Sequence, residues 1–151
     1  MQPDEKQLLE ADNLLVGGKY EAATAALRRL SVITPEKLEY STEDFNWQIL
    51  LLVRLQRIYK TTGNAVPAPL EKLIKYYEIV ARKHPGESVE LSEEEAAICG
   101  LVLEWLPGVS SEGQVAAADT ARGQQLVEGL LHLLKTNRHK YKLGVFYGKG
   151  F

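Results

Sequence analysis

The stretch GKYEAATAALRRLSVITP, residues 18–35, holds a glycine, an aromatic two positions on, a run of alanines, and a closing proline. Each is a punctuation mark. Glycine readily enters the left-handed conformation that follows a helix C-cap. Alanine is the strongest helix former, and proline cannot continue a helix interior. The stretch therefore predicts a turn at Gly17-Gly18 and a helix over residues 20–33. Its inner face is Ala23, Ala26, Leu27 and Leu30, and Thr34-Pro35 closes it.

Reading outward, the period stays helical. Upstream, Leu8, Ala11, Leu14 and Leu15 recur at three- and four-residue spacing, the mark of one buried helix face, behind Asp4 and Glu5 at the dipole-favoured start. Downstream, Ser41 or Thr42 caps a third, strongly apolar helix running through residues 45–60. TTGNAVPAP, residues 61–69, then breaks the chain. A fourth helix from near Pro69 carries Leu70, Leu73, Ile74, Tyr77 and Val80 on one stripe, and His84-Pro85-Gly86 ends it. SEEE, residues 92–95, has the capping-box form and opens a fifth helix that stops at Pro107-Gly108. A sixth, over about residues 115–135, shows the stripe Leu126, Leu130, Leu133 and Leu134. Strand signals are confined to KLGVFYGKGF, residues 142–151. The expectation is an all-α fold of about six helices in antiparallel hairpins. Leu14, Ala23, Leu27, Ile49, Leu52, Tyr59, Leu73, Tyr77, Leu103, Leu126 and Leu130 should be buried.

Composition sets the class. The 151 residues are 45 % hydrophobic and 25 % charged, which is one domain with enough apolar material for a core. A net charge of −2 argues against a polyanion binder by bulk electrostatics, although every Lys, Arg, Asp or Glu from Lys135 onward is basic. One cysteine, Cys99, excludes an internal disulfide and fits a reducing compartment. The acidic opening MQPDEKQLLEAD lacks the order of a secretory leader, and the longest apolar run is far short of a membrane span. A soluble cytoplasmic protein is expected, with a single domain over residues 1–137 and a basic aromatic tail over residues 138–151.

The helix breaks at Gly18, Gly63 and Gly108 are evenly spaced. With Ala11, Leu14, Gly18, Tyr20, Ala23, Leu27, Leu30 and Pro35 in ungapped register, residues 4–36 resemble the tetratricopeptide repeat, a helix-turn-helix module. A second unit over residues 49–86 resembles it through Leu55, Tyr59, Gly63, Tyr77, Val80 and Pro85, with a longer turn at NAVPA, and Gly100 and Leu103 carry a third, weaker trace. The resemblance implies a right-handed stack of hairpins whose first helices line a groove that holds a partner peptide or helix. A generic six-helix bundle accounts for the same stripes.

Catalytic signatures are missing: the chain has no P-loop, GxGxxG or GxSxG motif. His84, His132 and His139 form no metal-ligand spacing, and Cys99 sits among Ala96, Ile98, Val102 and Leu103 as a core residue would. Glu93, Glu94 and Glu95 are explained by the helix start. No catalytic residue, metal or cofactor is therefore expected.

Two surfaces are candidates for binding. If the first helix of each pair lines a groove, Arg54, Arg57 and Lys60 form its charged centre, with Leu50 beside them and Asp12 and Leu15 on the neighbouring helix. Arginine suits bidentate carboxylate contact, which points to an acidic protein partner. The alternative is the tail, where Arg138, Lys140 and Lys142 interleave with Tyr141, Phe146 and Tyr147. That mixture suits partner docking, or nucleic acid by phosphate contact and base stacking. The expected function is a non-enzymatic interaction module or adaptor; the other reading is a nucleic-acid-associated factor.

Overall fold

A computed structural model describes residues 3–83, 86–116 and 120–136. Among the described residues six helices carry the fold, in the order α1 (Pro3–Val16), α2 (Tyr20–Arg29), α3 (Thr42–Thr61), α4 (Ala68–Lys83), α5 (Glu93–Trp105) and α6 (Thr120–Thr136). Two three-residue strands, β1 (Glu39–Ser41) and β2 (Ser88–Glu90), precede α3 and α5. The all-α class is as expected from the sequence.

The short links after α1 and α3 double each of those helices back on the next. α1 packs on α2, α3 on α4, and α5 on α6, while α2·α3, α4·α5 and α4·α6 join one pair to the next. The first two pairs turn by the same device. After α1, Gly18 N–H donates to Leu15 O and Lys19 N–H to Leu14 O, with Gly18 at φ 76°. After α3, Gly63 N–H donates to Lys60 O and Asn64 N–H to Tyr59 O, with Gly63 at φ 75°. Both are Schellman motifs, in which glycine takes the left-handed position without a Cβ penalty and the orphan helix carbonyls are satisfied. Gly108 does not repeat this. α5 ends instead on Leu106 in an extended conformation, φ −50° and ψ 130°.

The capping box expected at α5 is present: Ser92 Oγ accepts from Glu95 N–H at 3.1 Å, and Glu95 Oε1 accepts from Ser92 N–H at 3.0 Å. At α3 the cap is Ser41 rather than Thr42, with Asp44 as its reciprocal partner.

Three boundaries differ from the sequence reading. α2 stops at Arg29, not Ile33. The β-branched run Val32-Ile33-Thr34 before Pro35 disfavours helix. α3 then claims the segment: Trp47 Nε1–H donates to Leu30 O at 2.9 Å, and buried Gln48 accepts from Val32 N–H at 3.0 Å and donates to Ser31 Oγ at 2.9 Å. α6 begins at Thr120, and Val115 is not its start but pairs with Val109 in an antiparallel bridge. The β1–β2 pair was not expected. It joins Glu39↔Glu90, Tyr40↔Val89 and Ser41↔Ser88 across nearly fifty residues, fixing the entry of α5 to the entry of α3. The basic aromatic tail over residues 138–151, with the strand signals of residues 142–151, lies outside the described residues.

The core follows the predicted stripes. Ala23, Leu27, Leu52, Tyr59, Leu73, Tyr77, Leu103, Leu126 and Leu130 are buried, whereas Leu14 and Ile49 are half-buried and pack against the cluster from its edge. An aromatic run forms its centre: Tyr40 and Phe45 lie 5.8 Å apart between ring centroids, Phe45 and Tyr77 5.7 Å, and Tyr76 and Tyr77 5.9 Å. α5 approaches its neighbours through glycine. A Cβ on Gly100 would stand 2.6 Å from Pro35 Cδ, and one on Gly123 of α6 would stand 2.6 Å from the Trp105 ring.

Candidate functional site: the α1/α3 face

The Leu8/Ala11/Leu15 stripe of α1 turns inward, so the stripe one residue on, Leu9/Asp12/Val16, must turn outward. On α3, burial of Leu51, Leu52, Leu55 and Ile58 likewise leaves Leu50, Val53, Arg54 and Arg57 on the outer side. One ion pair ties the two outer faces. Arg54 Nε–H donates to Asp12 Oδ1 at 2.7 Å and its Nη2–H to Asp12 Oδ2 at 3.2 Å, a bidentate fork. Arg54 Nη1–H closes back onto Leu50 O at 2.9 Å.

This changes the roles of the expected site residues. Arg54 and Asp12 do come together, but the guanidinium is spent on a partner within the chain and serves as a clamp between α1 and α3. Leu15, expected in the groove, is only 8 % exposed and belongs to the core. The physical reason is its phase: Leu15 lies four residues past Ala11 and shares that residue's inward face. Leu50, Arg57 and Lys60 are exposed, and neither Arg57 nor Lys60 makes an ion pair among the described residues. The tail residues Arg138, Lys140, Tyr141, Lys142, Phe146 and Tyr147 lie outside the described residues, as do His84 and His139.

Sequence reading missed Leu9 and Val16. Leu9 is 49 % exposed, Val16 85 % and Leu50 46 %, and these are the large exposed hydrophobics among the described residues. All three flank the Asp12–Arg54 clamp at helical spacing: Leu9 and Val16 bracket Asp12 on α1, and Leu50 is four before Arg54 on α3. The sequence carried part of this signal: Leu9 and Val16 each stand one residue past a member of the Leu8/Ala11/Leu15 stripe, at the edge of the face that stripe buries.

Burial pushes the Cys99 thiol up to about 12, far from the thiolate a nucleophile needs. The Tyr77 hydroxyl beside it is raised as well, again by burial. Burial also lifts the Tyr59 hydroxyl to about 12, with the Arg28 charge opposing, and Tyr59 O–H donates to Pro107 O. The described residues also bound surface cavities. One of about 370 Å³ is bounded by Glu21, Val109, Ser110 and Glu112, and one of about 310 Å³ by Gln7, Glu10, Leu14 and Arg29. Among the described residues no group of three His, Cys, Asp or Glu side chains could hold a metal ion, and no helix is long and apolar enough to cross a membrane.

Cys99, Tyr59 and Tyr77 are acids that burial keeps neutral, so the folded chain retains protons that the unfolded chain releases. Their stabilisation is complete below the ordinary thiol value of 9.0 and is lost as pH rises through about 12. The urea midpoint is expected to fall steadily from pH 9 to pH 12. A midpoint flat across that range would place these groups in water.

Comparison with known proteins found no family model, no curated protein and no solved structure that matches the chain.

Proposed function

We propose that the chain is a non-enzymatic protein–protein interaction module of tetratricopeptide-like architecture, soluble and cytoplasmic, which receives a partner's peptide or helix on the α1/α3 face. The observation that carries this reading is the gathering of Leu9, Val16 and Leu50 around the Asp12–Arg54 clamp. Exposed apolar side chains scattered singly need no explanation, but a cluster rimmed by charge is the usual composition of a contact surface. The architecture draws support from the paired helices and from the same glycine motif closing α1 and α3. The exposed Arg57 and Lys60 beside Leu50 favour an acidic partner segment.

The test is affinity capture from the source organism's lysate with wild type and with a Leu9→Glu/Leu50→Glu variant, after matched melting curves. Both positions are exposed, so each substitution alone should shift stability by no more than about 0.5 kcal/mol. Partner recovery is expected to fall at least roughly tenfold, the consequence of putting charge into the apolar centre of an interface. A folded variant that recovers the same proteins in the same amounts would refute the reading.

A further inference from the structure

The outer side of α3 carries a pattern that exceeds what a generic contact face needs. Its outward positions fall three and four residues apart: Glu43, Asn46, Leu50, Val53, Arg57 and Lys60. This is the a/d spacing of a heptad repeat, here on the side opposite the core. Glu43, Asn46, Leu50, Arg57 and Lys60 are exposed and Val53 is half-buried. The stripe runs acid, amide, apolar, apolar, base, base along a helix of about 30 Å.

Turned end for end, that order is complementary to itself. Laid antiparallel with its midpoint between Leu50 and Val53, the stripe sets Leu50 against the other copy's Val53. Asn46 meets Arg57, whose guanidinium donates to the amide oxygen, and Glu43 meets Lys60. A parallel pair would set Arg57 on Arg57 and Lys60 on Lys60, and like charges in register are destabilising. The clamp contributes here too: Asp12 neutralises Arg54, so the apolar centre of the stripe is not flanked by an unpaired cation.

We propose that a second copy of this chain is an occupant of this face, forming a two-fold symmetric dimer through antiparallel α3 helices with Leu50 and Val53 at the axis. The proposal rests on the reading of the α1/α3 face as a contact surface and names its partner. A two-fold axis uses each residue pair twice, so each change acts twice on the association.

The purified full chain is to be followed by sedimentation equilibrium and light scattering up to about 1 mM, the range that covers weak specific contacts. A reversible monomer–dimer equilibrium is expected. Leu50→Glu should weaken it more than about tenfold. Glu43→Lys alone and Lys60→Glu alone should each weaken it by roughly tenfold, since two attractive pairs become repulsive. The Glu43→Lys/Lys60→Glu double variant should return to within about threefold of wild type, since both pairs are restored with sign reversed. Where Leu50→Glu does not keep the wild-type melting curve, Leu50→Ser replaces it. A chain that stays monomeric to that concentration, a dimer indifferent to Leu50, or a folded double variant without recovery would each overturn the proposal. If the chain is monomeric while Leu9→Glu/Leu50→Glu still abolishes capture, the dimer fails and the contact-surface reading stands. If capture is unchanged as well, both fail.

Discussion

Replacing Phe45 by alanine is expected to lower the unfolding free energy by about 3–5 kcal/mol, the cost of deleting a fully buried aromatic ring. Phe45 is 0 % exposed, and it is the middle ring of the run from Tyr40 to Tyr77. It stands in the first turn of α3, so its ring joins three parts of the chain that are remote in sequence: the β1 strand, the start of α3 and the middle of α4. Helices held apart by their other side chains relax only partly onto such a void. For a domain of this size the loss corresponds to a melting point lower by about 6–20 °C. It is also a large share of the roughly 5–15 kcal/mol that such a domain commands. Calorimetry of Phe45→Ala against the surface control Leu9→Ala measures it. A shift no larger than the control's would mean that the aromatic run is not the centre of the core.

Gly100→Val is the second large effect, expected at about 3 kcal/mol by overpacking. Two terms oppose. Removing a glycine from a helix interior gains up to about 1 kcal/mol, less for a β-branched residue. Against this, a Cβ at Gly100 would meet Pro35 Cδ at 2.6 Å, Cγ at 2.7 Å and the backbone nitrogen at 3.0 Å. A proline ring has no rotamer to escape into, and its backbone is pinned nearby by the Tyr40 hydroxyl. That hydroxyl donates to Lys37 O at 2.8 Å and accepts from Thr34 N–H at 3.0 Å. The clash therefore wins. The partner is identified by a double-mutant cycle, since Pro35→Ala removes the two nearest atoms. Urea denaturation should show the Val substitution costing markedly less in the Pro35→Ala background than in wild type. Equal costs in both backgrounds would mean that Pro35 and Gly100 do not touch.

That contact gives the stretch over residues 18–35 a second meaning. In the sequence, Pro35 reads as a helix stop. In the fold it is also a packing surface, on which α5 lies so closely that only glycine fits. A proline six residues past the end of α2 thereby positions a helix some sixty residues later, and the weak repeat trace at Gly100 acquires a physical cause independent of any repeat.

What the sequence by itself determined was local. The helices, their inward stripes, the Ser92–Glu95 cap and the glycine turns at Gly18 and Gly63 follow from spacing and from backbone preference, which act over a few residues. Burial of Ala23, Leu27, Tyr77 and Leu130 follows for the same reason, because a helix with one apolar stripe has one way to bury it. What only the tertiary structure decided was how those pieces meet. The end of α2 was set by Trp47 and Gln48 reaching back from α3, and the β1–β2 pair joins segments whose individual propensities are unremarkable. Leu15 and Leu50 are both leucines in helical stripes, yet one is core and the other surface. Arg54 reads from its own helix as a free cation for a ligand. Asp12, forty-two residues away, turns it into a clamp, because an ion pair depends on which helix faces become neighbours, and no local spacing encodes that.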